Sequence, residues 1–174
     1  MVALGVNVPV PVLVYTAPVA EPAQPPPPPD KGSTTGLPLP RFASLRTDDV
    51  NFRAGPGTRY PVEWVYRKRD LPVEIEREFD VWRLVRDPQD NRGWVHTATL
   101  GSRRTVLVTG SGEQVLRAAA RDDAAPVARV EPGVVGRLRA CDAASEWCQV
   151  QVKEYKGWMK RGAFWGTLPG EAVQ

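Results

Sequence analysis

An internal repeat, period-two hydrophobic alternation and dense turn punctuation predict an all-β protein. It is expected to be two small barrels in tandem, behind a disordered proline-rich N-terminal segment. The expected boundaries are 1–40 for that segment, 41–103 for the first module and 104–170 for the second.

The repeat is the firmest of these observations. Arg53-Ala54 recurs as Arg117-Ala118 and Gly93-Trp94-Val95 as Gly157-Trp158-Met159, both 64 residues on. Trp82-Arg83-Leu84-Val85 recurs as Trp147-Cys148-Gln149-Val150 and Pro61-Val62 as Pro126-Val127, both 65 residues on. Four landmarks in one order, within one residue of a single offset, mark a duplicated unit. The one-residue differences fall between strands, where loops absorb insertions.

Strand signals dominate within each copy. Leu71, Val73 and Ile75 alternate with Pro72, Glu74 and Glu76, an apolar face against a polar one. Gly55-Pro56-Gly57, Asp87-Pro88 and Asp90-Asn91-Arg92-Gly93 supply turns. Only Glu113 to Asp122 offers a turn or two of helix, and its place in the repeat assigns it to strand and loop instead.

The first 40 residues carry 11 of the 18 prolines, five of them consecutive at Pro25 to Pro29. Such a run favours an extended polyproline rod. Lys31-Gly32-Ser33-Thr34-Thr35-Gly36 reads as a flexible polar spacer. Pro9, Pro11, Pro18 and Asn7 interrupt the apolar stretch Val2 to Val19, so it is not expected to span a membrane. The first basic residue is Lys31, so no complete signal peptide is visible. The segment reads as a linker or as the remnant of an export signal.

Composition narrows the function classes. Of 174 residues, 42% are hydrophobic and 25% charged, with a net charge of +3. Basic and acidic residues are interspersed, whereas nucleic-acid binding calls for a dense basic stripe. Arg67-Lys68-Arg69 and Arg103-Arg104 read as solvated turns. Two cysteines and one distant histidine do not make a zinc site, and no cofactor motif is present. His96 has no accompanying nucleophile motif, which disfavours an enzyme such as a hydrolase. Glu74, Glu76, Glu78 and Asp80 share a face on an unbroken strand, and that face reads as solvated, with nearby arginines.

Cys141 and Cys148 bracket a predicted hairpin tip, Asp142 to Trp147. In an oxidising compartment they are expected to form a disulfide, and in a reducing one to remain thiols. Strand parity complicates the pairing. Leu138 and Ala140 place Cys141 outside, whereas Val150 and Val152 place Cys148 inside, so a bulge is required.

The run Val50-Asn51-Phe52-Arg53-Ala54-Gly55-Pro56-Gly57, followed by an apolar strand, Trp82-to-Val85 and Gly93-Trp94-Val95, resembles the bacterial SH3-like domain family. The likeness is good over 41–102 and weaker over 105–168. There the opening reads Val115-Leu116-Arg117-Ala118-Ala119-Ala120, without the Asn and the Gly-Pro-Gly. With Arg41-Phe42 in front and Phe164-Trp165-Gly166 behind, the tandem is similar to uncharacterised exported bacterial proteins.

This resemblance implies a five-stranded barrel per copy and a non-catalytic role at the cell envelope, in the periplasm or secreted. The implied ligand is peptidoglycan or an envelope protein or peptide. The alternative is an adaptor that recruits an envelope partner. The candidate face is aromatic and basic: Asn51, Arg53, Tyr60, Trp64, Phe79 and Trp82 of the first copy. Tyr60 and Trp64 adjoin a loop that commonly forms one wall of the groove in this fold. The second copy is expected to be mainly structural.

Overall fold

The computed structural model describes residues 30–174, so the proline-rich run and the candidate export remnant lie outside the described residues. The first module contains β3 (Arg41–Leu45), β4 (Val50–Arg53), β5 (Val62–Tyr66), β6 (Pro72–Phe79), β7 (Trp82–Arg86), β8 (Arg92–His96) and β9 (Leu100–Gly101). It is preceded by a short hairpin of β1 (Asp30–Lys31) and β2 (Pro38–Leu39). The second contains β10 (Thr105–Val108), β11 (Gln114–Arg117), β12 (Pro126–Val130), β13 (Val135–Cys141), β14 (Trp147–Val152), β15 (Tyr155–Lys160) and β16 (Phe164–Trp165).

The two sheets run β5-β4-β8-β7-β6-β3-β9 and β12-β11-β15-β14-β13-β10-β16, the same antiparallel order strand for strand. Seven strands per copy exceed the five expected, and leaving out the two-residue β9 and β16 still gives six in each. A 3-10 turn follows β8 and another follows β15 at the equivalent place, Thr97–Thr99 and Arg161–Ala163.

The repeated landmarks have physical causes. Arg53 donates from Nη1 to the Tyr60 carbonyl at 2.8 Å, and Arg117 donates from Nη1 to the Ala124 carbonyl at 2.9 Å. Each arginine ties down the loop between the first two strands of its repeat. The Ala54 and Ala118 amides bond the carbonyls of Pro61 and Ala125 across the same loop. Gly93 lies against Phe52, and Gly157 against the Arg117 carbonyl, so closely that a Cβ at either would collide. The glycine of each Gly-Trp pair thus lets one strand cross tight over another.

Both copies carry bulges at matching places, between Phe52 and Arg53 or Leu116 and Arg117, and between Ile75 and Arg77 or Leu138 and Ala140. The bulge in β13 resolves the parity conflict at Cys141. It returns Cys141 to the interior opposite Cys148, both are buried, and they form a disulfide.

The modules pack against each other. Leu107 of β10 is buried in the first module's core with Phe52, Val73 and Val85, and Val135 packs beside it. Phe42 meets Trp165 edge-on at 4.8 Å between ring centroids, and the Arg104 guanidinium lies over the Phe42 ring. The linker Arg103 pairs with Asp70, and Lys68 donates to the Gly133 carbonyl at 2.7 Å. Two of the basic runs read as solvated turns therefore help to join the modules.

Two further readings change. The carboxylates of β6 do not form one solvated face. The bulge after Ile75 breaks the alternation, and Glu74 and Glu78 are buried. Glu74 pairs with Arg86, and Glu78 with Arg41 at 2.6 Å and Arg83 at 3.5 Å. The run Lys31 to Gly36 is also not a free spacer, since the Thr34 and Thr35 amides donate to the Glu78 carboxylate. Contacts with the first module thus reach back to Thr34 and Thr35, and contacts with the second reach forward to Val173, which bridges to Cys141.

Candidate ligand-binding face

Strand parity sorts the first module's side chains. Phe52, Val85 and Val95 point into the core and are fully buried, so their neighbours in β4, β7 and β8 point outward. Register then sets these outward residues side by side. Phe79 faces Trp82, which faces His96. In the next row Arg77 faces Leu84, Leu84 faces Trp94, and Trp94 faces Arg53. The result is an apolar and aromatic ladder across four strands, with an arginine at each end of its second row.

The six sequence candidates occupy four settings. Phe79 and Trp82 sit together on the ladder. Trp82 is buried and meets the His96 ring edge-on at 5.4 Å, while Phe79 is 58% exposed. Arg53 and Tyr60 belong to the loop at the ladder's edge. The Arg53 guanidinium is committed to the Thr58 and Tyr60 carbonyls, and the Tyr60 ring packs over Gly55, where a Cβ would strike it.

Trp64 points the other way. It stacks on Phe52 at 5.4 Å beside Tyr66, with its Nε1 buried and without a partner among the described residues. Asn51 is exposed on β4 opposite exposed Val65. Leu84, Trp94 and His96 complete the ladder and were not among the sequence candidates. Their signal was present, since Trp82 and Leu84, like Trp94 and His96, are two apart on strands.

His96 is held by its own backbone. Its Nδ1 accepts from the Ala98 amide at 3.1 Å, capping the 3-10 turn, which leaves Nε2 to carry the proton of the neutral ring.

The tip that presents Phe79 is anchored by Glu78. Its side chain is fully buried, and its carboxylate accepts from Thr34 N at 3.0 Å, Thr35 N at 2.9 Å, Thr35 Oγ1 at 2.7 Å and Arg41 Nη2 at 2.6 Å. Burial alone would push the Glu78 carboxyl up. The hydrogen bonds from Thr35, Arg41 and Thr34 outweigh it and hold the pKa at about 2. Gly32 lies so near this carboxylate that any side chain there would collide with it. The two-residue turn beyond has Asp80 at a φ of 47° and exposes Val81.

The register gives this anchor a counterpart. Glu78 opposite Arg83 occupies the place in β6–β7 that Cys141 opposite Cys148 occupies in β13–β14. One module closes its hairpin with a buried ion pair under an N-terminal strap. The other closes it with a disulfide under the C-terminal strap at Val173.

The same strand architecture, loop-tethering arginine and close-packed Gly-Trp therefore occur twice. A family model described as "Bacterial SH3 domain" matches residues 46–101 and again 110–166. The chain belongs to the bacterial SH3 domain family. No curated protein matches it. Among solved structures, it is similar to NlpC1 from Trichomonas vaginalis at 12% identity, over 79% of this chain and 49% of that one, with a TM-score of 0.34. NlpC2 from the same organism matches at 12% identity, over 74% of this chain and 49% of that one, with a TM-score of 0.33. The chain spans about half the length of these structures.

The two SH3 modules do not present the same face. In the second, Gln149 stands for Leu84, Lys160 for His96, Ala140 for Arg77 and Asp142 for Phe79. Lys160 lies over the Trp147 ring at 5.3 Å and pairs with Asp122 at 2.7 Å, which closes the row with charge. Of the seven large exposed hydrophobic residues among those described, Val127 and Tyr155 belong to the second module. The other five, including Phe79 and Val81, lie on the first module or its N-terminal hairpin. The second module keeps Trp147 in the place of Trp82 and Trp158 in that of Trp94, but the exposed Phe79 has no apolar counterpart there.

Proposed function

We propose that this chain is a non-catalytic binding protein of the bacterial cell envelope, and that its first module recognises peptidoglycan or a peptide. The recognition surface is the outward ladder of Phe79, Trp82, Leu84 and Trp94, with the Arg53–Tyr60 loop at its edge. The observation that carries the reading is the exposed Phe79 ring beside partly exposed Leu84 and Trp94: the second module keeps Trp147 and Trp158 in the places of Trp82 and Trp94 but has Asp142 for Phe79 and Gln149 for Leu84. Flat aromatic faces stack on apolar ring faces and anchor interfaces, and a rigid sheet presents them at low entropic cost.

Three further points support the reading. Bacterial SH3 domains are commonly cell-wall binding modules. The Cys141–Cys148 disulfide fits an oxidising compartment, in the periplasm or outside the cell. No described helix is long and apolar enough to cross a membrane. For a catalytic role, the sole histidine is poorly placed, with Nδ1 engaged by a backbone amide and its ring against Trp82.

Co-sedimentation with purified sacculi tests the proposal. Wild type is expected in the pellet, and F79A/W94A in the supernatant with its fold intact by circular dichroism. Y155A, a change at an exposed aromatic residue of the second module, is expected to pellet like wild type. Wild type remaining in the supernatant would remove the wall-binding reading. Retention of an envelope protein by wild type but not by F79A/W94A would then assign the face to an adaptor role.

A further inference from the structure

A second candidate site lies at the junction of the modules, away from the aromatic ladder. A cleft of about 700 Å³ opens between the end of β3 and the turn before β6 on one side and the middle of β13 on the other, with the linker Gly101 to Arg104 and Val173 along it. Six arginines line it: Arg46, Arg69, Arg103, Arg104, Arg137 and Arg139. Asp70 is the only acidic side chain in the lining, and it is paired with Arg103. Arg104 is clamped by Glu171 at 2.6 Å and 2.9 Å, and Arg69 reaches Asp48 at 4.0 Å. Arg46, Arg137 and Arg139 have no acidic partner among the described residues.

Stability alone does not account for this arrangement. Arg46 and Arg137 are exposed, yet like charges gathered in one concave place repel one another unless an anion neutralises them, and such a cleft focuses positive potential. The site is elongated. A smaller cavity of about 230 Å³ shares Asp70, Arg103 and Arg137 with it and continues to Lys153. Guanidinium groups, unlike ammonium groups, offer a planar fork matched to phosphate and carboxylate oxygens.

We infer that this inter-module cleft binds a chain-like ligand bearing two or more phosphate groups, held through Arg46, Arg137 and Arg139. Its lining holds no aromatic ring on which a base could stack, which favours a phosphate-bearing polyol or sugar chain over a nucleic acid. The cleft uses both modules, since Arg46 comes from the first and Arg137 and Arg139 from the second. The tandem arrangement is thus part of the site. This inference does not depend on the aromatic face.

Calorimetric titration of the full chain with tripolyphosphate and with orthophosphate tests it. Tripolyphosphate is expected to bind at least roughly tenfold more tightly than orthophosphate and to weaken as salt is raised. R46A/R137A/R139A is expected to lose at least roughly tenfold in tripolyphosphate affinity while keeping the wild-type melting profile. R46K/R137K/R139K, which keeps the charge but not the fork, is expected to fall between the two.

R121A/R129A/K156A makes the same change in net charge elsewhere and is expected to bind like wild type. Equal affinity of wild type and R46A/R137A/R139A, or equal loss in R121A/R129A/K156A, would overturn the assignment. So would tighter binding of a single-stranded oligonucleotide of matched charge.

Discussion

Replacing Glu78 with Gln removes one negative charge from the most enclosed ion pair of the first module. The Glu78 side chain is fully buried and Arg83 is 6% exposed, so the substitution leaves a guanidinium without its counter-charge. Breaking a buried pair in this way costs about 3–5 kcal/mol. The pH dependence gives a second, independent magnitude. The folded carboxyl has a pKa of about 2 against an ordinary value of 4.5. Because the folded value is the lower one, the stabilisation is complete above the unfolded pKa and is lost as pH falls toward 2. Full linkage corresponds to about 3 kcal/mol, and the thin strap over the site admits some solvent screening, so about 2–3 kcal/mol is expected. More than half of that is gone by about pH 3.

The assay is urea unfolding of wild type and E78Q at pH 7 and pH 3, with amide exchange at Thr34 and Thr35. E78Q is expected to be less stable by several kcal/mol at pH 7. The gap should narrow by about 1–2 kcal/mol at pH 3, because wild type then loses what the variant already lacks. The Thr34 and Thr35 amides should exchange faster in E78Q. A gap of the same size at both pH values, with unchanged exchange, would refute the reasoning.

The remaining predictions concern the other staple and the junction. C141S/C148S is expected to destabilise the second module by about 2–3 kcal/mol, since the bridge closes a short loop of sequence separation 7. Urea unfolding should show the same loss for wild type in reductant and no effect of reductant on the variant. F42A removes a ring that is 8% exposed and packed on Trp165. It is expected to cost about 3 kcal/mol and to split unfolding into two transitions in calorimetry, as coupling between the modules falls.

Much of the fold was legible because its determinants are local or strictly repeated. Arg-Ala, Trp-x-x-Val and Gly-Trp recur at nearly constant spacing, and each meets a demand that the fold makes twice: a tethered loop, a cross-strand partner, a close crossing. The burial of Glu78 escapes a period-two pattern because a bulge is invisible to it: with the alternation unbroken, Glu78 would share the face of Glu74 and Glu76. Glu74 lies before the bulge and is buried through its pairing with Arg86, a partner that only the strand register supplies. The polar strap was read as a spacer because its partner, that same Glu78, is more than 40 residues away. Nearness in sequence to the first loop points to Tyr60 and Trp64, and nearness to the next hairpin tip to Phe79 and Trp82, whereas the ladder is assembled by register across β6, β7 and β8, so Trp64 turns inward and Trp94 joins the face.

By itself, then, the sequence determined the duplication, the β-class, the family and the inequality of the two copies, since these lie in residue types and spacings along the chain. Tertiary structure alone decided that an ion pair and a disulfide are equivalent staples, which rings share a surface, and that six arginines from two modules line one cleft. Those facts depend on register, bulges and packing between residues far apart in the chain. No local pattern encodes such distances.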